Sequence, residues 1–129
     1  MSAAEWLEAY TNASSNGLTA LAILLTMVSG YIVIAYLVGE KLTTLQVFLI
    51  NIVYISSGTS VLLSNYGSVL DSATARSEAA RLLKEMGGVM SIEGTPEFLA
   101  LLVAGTNSLY LVISLVFMWQ VRHSRAEGL

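Results

Sequence analysis

The sequence predicts an all-α membrane protein with three transmembrane helices. Three observations predict it. Of the 129 residues, 55% are hydrophobic but only 12% are charged, whereas a soluble domain carries roughly a quarter charged residues. The few charges are absent from three long stretches, residues 18–38, 44–64 and 98–120. Each stretch is flanked by helix start or stop signals. At about 1.5 Å rise per residue, each is roughly 31–35 Å long, enough to cross a hydrocarbon core of about 30 Å.

Ser2 and Glu5 have the spacing of a capping box, in which a hydroxyl and a carboxylate satisfy two early amide donors. They predict a short helix over residues 3–10. Trp6, Leu7 and Tyr10 share one of its sides, the pattern of a helix lying in the membrane interface, with Trp6 and Tyr10 as interface anchors. No positive side chain precedes the first span, so that span is expected to be a permanent helix and not a cleaved signal. Gly39-Glu40-Lys41 ends it, and a short turn makes the first two spans an antiparallel hairpin. Thr43 and Gln46 offer a second capping box for the helix over residues 44–64.

Residues 65–97 read as an extramembrane segment of a single 129-residue membrane domain. Its centre, residues 70–86, is expected to form an amphipathic helix that Gly87-Gly88 stops. Ala73, Ala80 and Leu83 mark its apolar stripe, and Glu78, Arg81 and Glu85 are spaced for surface ion pairs. Thr95-Pro96-Glu97 then opens the third span: a capping hydroxyl, a proline at the first helical position and an acid at the positive helix end.

The charge pattern excludes several functions. The net charge is −3, without a basic cluster, so nucleic acid is not an expected partner. There is no cysteine and one histidine, His123, which removes thiolate chemistry and multi-histidine metal sites. No span contains Asp, Glu, Lys, Arg or His, the groups that proton relays and coupling-ion sites require. Asp71, Glu93, Glu97 and His123 are the only acid–base candidates near membrane borders, and they form no recognisable constellation. The expectation is a protein that is not an enzyme, with no catalytic residue, no cofactor and no metal.

Polar uncharged and small residues remain. Asn51, Tyr54 and Gly58 share a face of the second span, and Asn107, Tyr110 and Ser114 share one of the third. An amide in hydrocarbon must find a partner, so the two faces are expected to meet, with Tyr31, Thr26 or Ser29-Gly30 of the first span as a further partner. Ala100, Ala104 and Ser108 recur every four positions on the third span, as do Ser56, Ser60 and Ser64 on the second, a spacing that lets helices approach closely. The Ala100 and Asn107 faces read as displaced around the third span, one to serve the internal bundle and the other a second protein or protomer. Asn12-Ala13-Ser14 matches a glycosylation acceptor but lies too close to the first span to be expected in use.

Lys41, Arg122 and Arg125 lie in a short loop and a short tail, against Arg76, Arg81 and Lys84 in a longer segment. Their density favours the N-terminus outside and the C-terminus in the cytoplasm. Trp119, Arg122 and Arg125 then read as interface anchors. Short loops and the lack of cysteine suit a bacterial inner membrane.

The functional expectation is a non-catalytic membrane protein that assembles through its helix faces, as a homo-oligomer or an accessory subunit of a larger membrane complex. Its partners would be membrane lipids and copies of itself or a larger complex. The alternative is an oligomeric channel or pore for small neutral solutes or ions. In topology alone, three spans with an outside N-terminus and a basic tail, the chain is similar to phage holins. The long intermediate helix and the modest tail charge depart from that pattern.

Overall fold

The computed structural model describes residues 1–88 and 95–126. Three helices make up the fold: α1 (Ala3–Val38), α2 (Thr44–Glu85) and α3 (Pro96–Ala126). Each is long and apolar enough to cross a membrane. The described residues contain no strand.

The helix ends follow from local chemistry. Both capping boxes form: Glu5 N donates to Ser2 Oγ and Ser2 N to Glu5, while Gln46 N donates to Thr43 Oγ1 and Thr43 N to Gln46 Oε1. Phe98 N donates to Thr95 Oγ1 ahead of α3. Gly87, at φ 83°, ends α2. Gly87 N donates to Lys84 O and Gly88 N to Leu83 O, the paired bonds of a helix closed by a left-handed glycine. Gly39 closes α1 beneath Met118, and a Cβ there would collide with the Ala35 carbonyl.

The expected short interfacial helix and the expected separate amphipathic helix are both absent as independent elements. Residues 3–10 are the first turns of α1, and residues 70–85 are the last turns of α2. α1 is about 54 Å long and α2 about 63 Å, so both run well past a bilayer core. The reason is a seam with a 3.5-residue period, the spacing that keeps one stripe facing a neighbouring helix. On α1 it runs through Gly17, Ala20, Leu24, Tyr31 and Ala35; on α2 through Tyr54, Gly58, Asn65, Ala75 and Ala79, all buried. The α2 seam does not stop where the hydrocarbon stops. Trp6 and Tyr10 accordingly line clefts between α1 and α2. The weak helix formers at the border are accommodated because Thr11 and Thr19 return their hydroxyls to Leu7 O and Ser15 O.

The core is narrow. Leu24, Tyr31, Ala35, Tyr54, Leu111 and Met118 form it, with Val28, Leu62 and Phe117 against it. Outside it, large apolar side chains point away from the bundle: Leu18, Val33 and Leu37 on α1, Leu45, Val53 and Leu63 on α2, Leu101, Ile113 and Trp119 on α3. An outward apolar surface of this extent suits lipid, not water.

Candidate functional site

The polar side chains of the three helices meet along the seam at three levels. At the first, partway along α1, Asn65 Nδ2 donates to Gly17 O at 2.8 Å, and Asn107 Nδ2 donates to Asn65 Oδ1 at 3.3 Å. Both asparagines are 3% exposed. This contact ties all three helices together at one point.

At the second level, Tyr31 and Tyr54 stack with ring centroids 4.0 Å apart and planes 19° apart. Tyr31 Oη donates to Asn51 Oδ1, and Tyr54 Oη pairs with Ser114 Oγ at 2.7 Å. Ser114 Oγ also donates to Leu111 O; its side chain is fully buried. The ring pair thus carries one polar contact back along the α1–α2 hairpin and another across to α3. Beneath it, Gly58 lets Leu111 approach: a Cβ at Gly58 would stand 3.0 Å from both Leu111 methyls.

At the third level, Arg122 Nη1 donates to Gly39 O at 3.0 Å and Leu42 O at 2.9 Å. The last carbonyls of a helix lack partners and carry partial negative charge. α1 has no basic residue in its last turn, and α3 supplies the missing cation. Arg122 is therefore a clamp on the α1–α2 turn.

Asn51, Tyr54, Gly58, Asn107 and Ser114 all lie on the seam. Asn51 and Asn107 do not meet each other; Tyr31 takes one and Asn65 the other. Tyr110 stands off the seam, 38% exposed. Ala100 is fully buried and Ala104 half-buried, while Ser108 is exposed and returns its hydroxyl to Ala104 O. The separate Ala100 face does not exist. Ala100 and Asn107 are two turns apart, which leaves them within about 20° of each other around the helix, and both are buried. Trp119 is exposed and packs at 4.4 Å against His123. The side chain of Arg125 and the acid Glu93 lie outside the described residues.

Asn65 was missed because it sits past the apolar stretch. A signal was present: Asn65 is two turns beyond Gly58 on the same stripe, which a heptad reading of α2 continues.

No buried polar side-chain atom among the described residues lacks a hydrogen-bond partner, and no three His, Asp or Glu side chains among them converge to hold a metal. What the arrangement does chemically is lock three helices in register. The fold and seam define a bundle of three helices, each long and apolar enough to cross a membrane. In comparison with known families, curated proteins and solved structures, the chain matches none.

Proposed function

We propose that the protein is a non-catalytic membrane subunit that assembles through its outer helix faces, with copies of itself or as an accessory component of a larger complex. The observation that carries the reading is the placement of Ser56, Ser60 and Ser64. These small residues recur every four positions on α2 and are all exposed, so the stripe faces away from the protomer's own bundle. Small residues at that spacing let a second helix approach closely, which is how helices associate where lipid removes the hydrophobic drive. The polar groups that hold the protomer are spent internally and leave this stripe for an outside partner.

The arrangement in the membrane belongs to the same proposal: N-terminus outside, C-terminus cytoplasmic, in a bacterial inner membrane. The density of Lys41 and Arg122 at one end supports it.

A pore remains the weaker reading. Outward hydroxyls at Thr26, Ser60, Thr106 and Ser108 each donate to a carbonyl of their own helix, which leaves them poor linings for a water path.

The test is the mass of the protein in native-lipid nanodiscs. Assembly predicts a species well above one protomer, and Ser56→Leu/Ser60→Leu predicts its loss with helix content unchanged. A strictly monomeric protein, with no co-purifying partner, overturns the reading.

A further inference from the structure

We infer that the groove between α1 and α2 at the membrane border is a binding site for a lipid with an uncharged, hydroxyl-rich glycosyl head group. The inference stands apart from the assembly reading, since it concerns a groove within one protomer.

The groove has two joined parts. The part beyond the first span is a cleft of ≈420 Å³ in which Asn12 and Asn16, one turn apart on α1, face Asp71 and Thr74 on α2, with Trp6 farther from the span. The part at the edge of the spans is a hollow of ≈370 Å³ whose walls join Leu18, Leu21 and Val103 to Ser14, Asn65 and Ser72. Ala13 and Ser68 line both. Each part falls within the size of small-ligand sites, roughly 300–1,000 Å³. The outer part is the more polar and the part toward the hydrocarbon the more apolar, the order of head and chain in a lipid.

The chemistry of the cleft selects the head. Among the described residues, Asn12, Asn16, Asp71 and Thr74 have no side-chain hydrogen bond or ion pair, so their donors and acceptors are unspent. Asp71 is the only charge lining the cleft among the described residues. A phosphate head would bring a second negative charge beside it with no cation to receive either. An ethanolamine head could give its ammonium to the Asp71 carboxylate and its phosphate oxygens to the carboxamide N–H donors, but the phosphate charge would then meet no cation in the cleft. Sugar hydroxyls both donate and accept, so they meet carboxylate, carboxamide and hydroxyl alike. The Trp6 indole adds an apolar ring face with a single donor, suited to the C–H face of a pyranose.

The experiment uses the full chain in nanodiscs of glucosyl diacylglycerol, phosphatidylethanolamine and phosphatidylglycerol in equal parts, with lipids retained on release read by native mass spectrometry. The glucosyl lipid should be retained at least about tenfold over the other two. Asn12→Leu/Asn16→Leu should remove that preference, and Ala13→Trp, which fills the waist between the two parts, should remove retention. Both asparagines are exposed, so their variant keeps the bundle, as circular dichroism verifies. Equal retention of all three lipids overturns the proposal, as does a preference for the ethanolamine lipid or a preference that survives the double asparagine variant. Displacement by methyl glucoside at the same concentration as the lipid overturns the apolar half of the site.

Discussion

Asn65 and Asn107 act as one unit. Each is buried, and each depends on the other or on Gly17 O for its hydrogen bonds. Interhelical bonds of this kind are worth on the order of 0.6–2 kcal/mol in lipid. Asn107→Ala should therefore destabilise the bundle by about that much. In a double-mutant cycle with Asn65→Ala the two losses should fall short of additivity by about 0.5 kcal/mol or more. Unfolding in mixed micelles measures both; strictly additive losses would show that the Asn65–Asn107 bond is energetically silent. Arg122 supports a second test at this scale. Arg122→Ala removes two bonds from a charged donor to the α1–α2 turn, each class of bond being worth about 1.5–3 kcal/mol. It should lower the unfolding free energy, and faster amide exchange at residues 39–42 should accompany the loss. The residue types of both sites were legible in the sequence. Their partners were not, because an asparagine specifies that it needs a bond but not which helix provides it.

At the scale of the helix, α2 makes the sharpest departure from the linear reading. Hydropathy divides it at residue 64, where charge and glycine begin, yet the helix continues to Glu85. Hydropathy reports the solvent outside a helix, while the seam reports the neighbour inside it. The seam stays in phase through Asn65, Ala75 and Ala79. Amide exchange should accordingly show continuous protection from residue 60 to residue 80; a fast-exchanging break at 65–69 would restore two separate helices. The start of α1 carries a pH dependence. The hydrogen bond from the Ser2 backbone, then that from its side chain, holds the Glu5 carboxyl below its ordinary value of 4.5. A depressed carboxyl contributes stability that is complete above that value and is lost as pH falls through the lower folded value. The Ser2 amide shift should therefore move at a pH below 4.5 as the first turn frays. Glu5→Gln, which also closes a capping box, should abolish that movement. At the other end of α2, Glu78, through its hydrogen bond and then its charge, raises the Arg81 guanidinium above its ordinary range. The pairs with Glu78 and Glu85, each at 3.0 Å, are exposed, so their contribution is small and salt-sensitive.

For the whole molecule, the balance of surfaces is inverted relative to a soluble bundle. Small and polar residues share the seam with Leu24, Leu111 and Met118, while most Leu, Ile, Val and Phe side chains face outward. Gly58→Leu tests how tightly the seam is closed. Its side chain would enter space that Leu111 occupies, and overpacking of this kind costs about 1–3 kcal/mol or more. The variant should lose the α2–α3 contact while the α1–α2 hairpin persists, which distance measurements between spin labels on α2 and α3 would report. A label distance unchanged from the parent protein would mean that Leu111 yields without cost. The sequence by itself determined that three uncharged segments are long and apolar enough to cross a membrane, where their capping boxes begin and which polar residues require partners, because burial in lipid and unsatisfied amides are penalties set by local composition. Only the tertiary structure decided that the outer helices are extensions of the spans, that Asn65 completes the Asn107 contact, that Ala100 faces inward and that Arg122 closes a turn on another helix. Those outcomes depend on the rotational phase of each helix against its neighbours, and phase is a property of the packed bundle.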